Sequence, residues 1–142
     1  MEYCNFFSVP TKPPLGDECS IHTLINDRSR SVERIGGRTS SDNGYINNQW
    51  YRFVGSGGTM LPTMCQQPNR CGANYPGWMS GTHPSVSDGI ATRRVCFASN
   101  LDCCRYKYTV YVRNCGNFYV YRLAKPSFAN LRYCVSKVAG KI

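Results

Sequence analysis

The chain reads as a mainly β domain: a small, disulfide-stapled antiparallel sheet or sandwich with long loops and little helix. Three observations predict this. Hydrophobicity alternates at period two in several separate runs, the stretches between them are broken by Pro, Gly, Ser and Asn, and nine cysteines are scattered through the 142 residues. No segment carries the 3.6-residue apolar period of an amphipathic helix.

Residues 5 to 18 contain three prolines and a Gly-Asp pair, the composition of an extended, turn-rich arm. Residues 26 to 49, centred on "GGRTSSDNG", form a long loop. "QWYRFVG" then alternates as a strand, with Tyr51 and Phe53 on one face and Trp50, Arg52 and Val54 on the other. From Cys65 to Ser87 the prolines Pro68, Pro76 and Pro84 predict loop structure pinned by sulfur. "GIATRRVCFA", "CCRYKYTVYVRNC" and "NFYVYRLA" are the remaining strands, and "GN" between the last two suits a two-residue hairpin turn. In the middle one, Cys104, Tyr106, Tyr108, Val110 and Val112 share a face, and Cys103, Arg105, Lys107, Thr109, Tyr111, Arg113 and Cys115 share the other. The adjacent sulfurs of Cys103 and Cys104 therefore diverge, and each needs a partner elsewhere.

The cysteines spread from Cys4 to Cys134 without the paired CxxC spacing of a zinc module. Disulfides in an extracellular setting follow, with four internal bridges and one cysteine over. Cys4, alone ahead of "VPTKPPLGDE", is the candidate to stay free or to pair outside the chain. "MEYCNFF" shows no signal peptide, so a secreted chain of this kind is expected to be part of a longer precursor. No apolar stretch is long enough to span a bilayer as a helix.

The formal net charge is +9, and residues 89–142 carry ten Lys or Arg against the single acid Asp102. By charge alone a face of that kind attracts sulfated glycans, anionic lipid or nucleic acid, or it is simply a solvated strand face; of the polyanions, a sulfated polysaccharide is the expected partner. Arg93, Arg105, Lys107, Arg113, Arg122 and Lys125 lie on or beside adjacent predicted strands and are the candidate polyanion contacts. No nucleic-acid partner is expected. Tyr106, Tyr108, Tyr119 and Tyr121 crowd one hairpin, where they form either a stacking surface or cross-strand core packing. His22 and His83 are the only histidines, and neither sits in a nucleophile motif. His83 in "GTHPS" is expected to be a loop residue bonded to backbone. No catalytic residue, metal site or cofactor is predicted.

"WYRFVGSGGTMLPTMC", "CGANYPGWMSGTHPSVSDGIATRRVC", the vicinal Cys103-Cys104 pair and "NFYVYRLAKP" leading to "LRYC" together resemble the eight-cysteine domain of the uromodulin and pancreatic zymogen-granule membrane glycoprotein family. The resemblance implies an extracellular, non-enzymatic interaction or scaffold module of a larger secreted or membrane-anchored glycoprotein, with an extracellular protein or glycan as partner. It places the domain at 19–136, after an arm at 1–18 and before a tail at 137–142. It also implies the pairing Cys19 with Cys115, Cys65 with Cys103, Cys71 with Cys134, and Cys96 with Cys104. Two further family cysteines, one expected between Arg34 and Asn48 and one near Phe128, are missing, so the loop at 30 to 48 is expected to be looser. Some members act as decoys for bacterial adhesins through an N-linked glycan. Here Ser80 stands where the family often has asparagine before Gly-Thr-His-Pro, and Arg122 and Ala124 replace a later sequon. The chain holds no Asn-x-Ser/Thr; Asn69 precedes Arg70 and Cys71 in an Asn-x-Cys context.

Overall fold

The computed structural model describes residues 17–138. Seven strands, β1 (Thr23–Ile25), β2 (Trp50–Phe53), β3 (Tyr75–Ser80), β4 (Ile90–Phe97), β5 (Tyr106–Asn114), β6 (Tyr119–Arg122) and β7 (Leu131–Tyr133), form one sheet in the order β1-β2-β6-β5-β4-β3-β7. Among the described residues, helix is confined to α1 (Asp17–Ser20) and two short 3-10 turns. The chain is thus mainly β, as expected, with a single sheet in place of a sandwich. Its centre, β2-β6-β5-β4-β3, is antiparallel throughout. The two outermost pairs, β1 with β2 and β3 with β7, are parallel. The long loop between β1 and β2 is what allows the first of these, because a parallel neighbour cannot be reached by a tight turn.

The sheet curls until the continuations of its edge strands meet. Beyond β1, the Val32 amide donates to the Val135 carbonyl at 2.9 Å; beyond β7, the Val135 amide donates to the Arg30 carbonyl at 2.9 Å. Ser136 closes a further bridge to Met60. Backbone groups that an open edge would expose are used in this closure.

Strand alternation sends Tyr51, Phe53, Met79, Val95, Phe97, Val110, Val112, Tyr121 and Tyr133 into one core, completed by Ile25, Ile46, Leu61, Leu123 and Leu131. Tyrosines serve here because each buried hydroxyl has a partner. Tyr121 accepts from the Leu61 amide at 3.1 Å, and Tyr133 donates to the Ala124 carbonyl at 2.7 Å. Between β5 and β6, Gly116 and Asn117 make the expected two-residue turn, with Gly116 at φ +98° and the Cys115 amide donating to the Phe118 carbonyl at 2.8 Å.

β3 replaces an expected loop. Pro76 and Gly77 look like strand breakers, yet Pro76 offers its carbonyl to the Ala98 amide at 3.0 Å, and a Cβ on Gly77 would lie 2.6 Å from the Phe97 ring. Close approach of a core aromatic, rather than a turn, is what requires the glycine.

The loop at 30 to 48 is held by polar contacts. Asp42 donates its amide to the Leu131 carbonyl at 2.8 Å, and its carboxylate accepts from the Tyr133 amide at 2.8 Å and from both terminal nitrogens of Arg30 at 2.7 and 2.8 Å. Ser41 Oγ accepts from the Asn130 amide at 2.6 Å, and Ile46 is fully buried. These contacts join the two segments from which cysteines are missing. Burial works against the Arg30 charge, and the hydrogen-bonded Asp42 carboxylate outweighs it, so the guanidinium is held charged.

Candidate interaction surface

Four bridges frame the sheet: Cys19 to Cys115, Cys65 to Cys103, Cys71 to Cys134, and Cys96 to Cys104, with Cα separations of 5.7, 5.6, 5.5 and 4.6 Å. The vicinal pair lies in the turn ahead of β5 and not in the strand, which begins at Tyr106. Asp102 shapes that turn by accepting from the Cys104 amide at 2.8 Å. Its sulfurs diverge because the backbone turns there, one reaching back toward the loop before β3 and the other to β4. Cys4 lies outside the described residues.

The register sorts the candidate cations. Residues directly opposite each other on neighbouring strands point to the same side. Arg93 opposes Val110, which is fully buried, so it belongs to the inner side of the sheet; its Nε donates to the Thr82 carbonyl at 2.8 Å. Arg93 therefore cannot join a common outer surface. Arg113 does face outward but lies under α1, paired at 2.7 Å with Glu18, the two side chains being 11% and 8% exposed. Glu18, expected in the arm, is thereby part of the fold, anchored by the neighbouring Cys19 bridge. The residue missed was Arg94. With Val95 and Phe97 in the core, period two sends Arg94 outward and Arg93 in, a signal available in "TRRVCF" itself.

The outer face consists of rows across the strands. Trp78, Cys96 and Lys107 form one; Ser80, Arg94 and Thr109 the next; Thr92, Tyr111, Arg122 and Trp50 the third. Arg94, Lys107, Thr109, Tyr111 and Arg122 are exposed, as are Arg105 and Lys125 beside them. Asn48 ties two of these cations together, its carbonyl accepting from Arg122 Nε at 3.2 Å and its Oδ1 from the Lys125 amide at 3.1 Å. Four of the seven described carboxylates are spent in ion pairs elsewhere, while Asp17, Asp88 and Asp102 form none among the described residues. Asp27 and Asp42 pair with Arg30 and Arg132, Glu18 with Arg113, and Glu33 with Lys137. Among the described residues, no carboxylate is within ion-pair distance of the five exposed cations. By contrast, a groove of about 880 Å³ lined by Asp27, Arg28, Glu33, Arg34 and Lys137 mixes both signs.

The four crowded tyrosines belong to the inner side. Tyr121 is fully buried, and Tyr106, Tyr108 and Tyr119 pack against the core from partly exposed positions. The outward aromatics are Tyr111, Trp50 and Trp78.

His22 donates from Nδ1 to the Glu18 carbonyl at 2.8 Å. His83 differs from expectation, bonding through Nε2 to the Tyr121 hydroxyl at 2.7 Å and packing on Tyr119, with ring centroids 4.4 Å apart. Burial, with help from the Arg93 charge, pushes its pKa down to about 4. The unfolded chain, with an ordinary value near 6.5, then binds the proton first. Stability is expected to fall as pH drops from about 6.5 toward 4 and to gain no further slope from this residue below that. Urea midpoints measured across this window should show the decline, and His83→Gln should remove it; an unchanged slope in the variant would assign it elsewhere.

A family model for the uromodulin-like eight-cysteine domain matches residues 51–135. The pancreatic secretory granule membrane major glycoprotein GP2 of Homo sapiens is 40% identical over 119 residues, covering 83% of this chain and 22% of the relative. The same glycoprotein of Mus musculus is 36% identical over 132 residues, covering 88% and 25%. Uromodulin of Mus musculus is 38% identical over 127 residues, covering 87% and 19%. The chain spans about a fifth to a quarter of the length of these relatives.

Proposed function

Because the chain belongs to the uromodulin-like eight-cysteine domain family, we propose that it is a non-enzymatic interaction module of a larger secreted or membrane-anchored glycoprotein, and that it meets its partner through the outer face of the sheet. Its setting is extracellular, in keeping with four disulfides and with a relative named as a secretory granule membrane glycoprotein. The carrying observation is the outer face itself. Side chains of the inner face are consumed by one core, whereas Arg94, Lys107, Tyr111 and Arg122 are presented outward on a rigid, cross-linked frame without packing duty. The eight described bridge cysteines offer no thiolate, and both histidines are occupied as above.

Recognition through an N-linked glycan of this domain is not supported, since the chain carries no Asn-x-Ser/Thr. Secreted from a eukaryotic host, the protein should run at its unmodified mass and be unaffected by an N-glycan-removing enzyme. A mass loss on treatment would refute this.

The test of the module is capture. A dimeric fusion of the chain is screened against arrays of extracellular proteins and glycans, beside an Arg94→Ala, Lys107→Ala, Arg122→Ala triple variant and an Arg28→Ala, Lys137→Ala control. Captured ligands should be lost by the triple variant and kept by the control. Ligands that the triple variant retains would place recognition on another surface.

A further inference from the structure

Resting on the reading of the outer face as the recognition surface, we propose that its partner is a sulfated polysaccharide, bound along Arg94, Lys107 and Arg122 with Arg105 and Lys125 beside them. Three features of the face point to this class. The first is uncompensated charge: no described carboxylate lies within ion-pair distance of these five cations, and four of the seven described carboxylates are engaged with other cations, so an anion arriving here displaces mainly mobile counterions. The second is spacing. With strands about 4.8 Å apart and like-facing residues about 6.8 Å apart along a strand, the Cα atoms of Arg94 and Lys107 are separated by roughly 8 Å, those of Arg94 and Arg122 by roughly 12 Å, and those of Lys107 and Arg122 by roughly 14 Å.

These separations match or exceed the screening length of about 8 Å at physiological salt, so the cations repel one another weakly and no single small anion bridges them all. A linear polymer with charge at every repeat does. The third feature is chemistry. Three of the five cations are arginines, whose planar forks suit tetrahedral oxyanions, and the exposed Tyr111 ring sits directly across from Arg122 as a flat surface for a sugar ring. The extracellular setting then decides among polyanions, because the anionic membrane leaflet faces the cytoplasm and a flat bilayer fits the outside of a curled sheet poorly.

The experiment uses the secreted chain on immobilised heparin, with chemically desulfated heparin and an unsulfated carboxylate polysaccharide as comparison matrices. Retention on heparin is expected through physiological salt, with affinity falling about 100-fold between 50 and 200 mM, the slope for roughly five neutralised charges by analogy with phosphate polymers. Arg94→Glu, Lys107→Glu, Arg122→Glu should abolish retention, with near-UV circular dichroism and the non-reducing peptide map unchanged. The charge-matched control Arg28→Glu, Lys137→Glu, Arg38→Glu should retain at least most of it. Ser80→Asn, which creates an Asn-Gly-Thr sequon beside Arg94 in the register, should lose binding only when glycosylated, and enzymatic removal of the glycan should restore it.

Elution below physiological salt, equal loss in the control triple, or equal retention on desulfated heparin would each overturn the assignment. If heparin fails while array ligands still depend on Arg94, Lys107 and Arg122, the sulfated class is wrong and the outer face stands. If neither depends on them, both fall.

Discussion

Asp42→Ala is expected to destabilise the fold by about 3 to 5 kcal/mol, the usual cost of leaving a buried charge without its partner. Asp42 and Arg30 are 1% and 3% exposed, so water cannot replace the lost carboxylate. The same substitution strips an acceptor from the Tyr133 amide, which is equally buried, and leaves the long loop tied to β7 at this point only through the backbone bond from the residue 42 amide to the Leu131 carbonyl. Asp42→Asn, which keeps one acceptor, should cost less. Adding Arg30→Met to Asp42→Ala should recover part of the loss, because the stranded charge is then gone. Urea unfolding of the parent chain, Asp42→Ala, Arg30→Met and the double variant as a double-mutant cycle measures this, with Asp42→Asn beside it; a loss below about 1 kcal/mol for Asp42→Ala would mean that the pair contributes little and that other contacts hold the loop.

The second large effect is expected from Cys19→Ala with Cys115→Ala. The bridge closes a loop with a sequence separation of 96, for which the chain-entropy model gives about 4 to 5 kcal/mol. It also clamps α1 over Arg113, so the double variant should expose that guanidinium and release Glu18. A stability loss in urea should therefore come with tighter, not weaker, heparin retention, as a sixth cation joins the outer face. Loss of stability with unchanged retention would show that α1 stays docked without sulfur; no loss of stability would show that the closed loop does not constrain the unfolded chain.

How much of this was legible beforehand depended on whether a residue's fate is set by its own strand or by a distant one. Tyr51 and Phe53, or Val110 and Val112, declare their face through alternation over several residues, and those strands were readable. β1 and β7, three residues each, are too short to show any period. β3 was hidden because Pro76 and Gly77 carry turn chemistry, and only the Phe97 ring, twenty residues on, explains the glycine. The bridge pairing came from family resemblance, since alternation alone says that Cys103 and Cys104 diverge but not where they go. For the proposed surface, net charge pointed to the second half of the chain, yet the choice between Arg93 and Arg94 required counting back from Val95 and Phe97. Asp42 gave no signal at all. One acid in a Ser- and Asn-rich loop looks solvated until β7 and Arg30 are placed around it.

The order of the bridges has a mechanical consequence. Tension applied between Cys19 and Cys134 does not pass along the backbone that joins them, because covalent shortcuts carry it from Cys19 to Cys115, back along the chain to Cys103, across to Cys65, on to Cys71 and across to Cys134. Only the stretches 103–115 and 65–71 lie in series with the load, and fully extended they reach roughly 60 Å, against roughly 400 Å for the uncrosslinked chain. Under oxidising conditions the domain is thus nearly inextensible between these two cysteines: a pull applied across them would load whatever flanks them long before it could unravel the sheet.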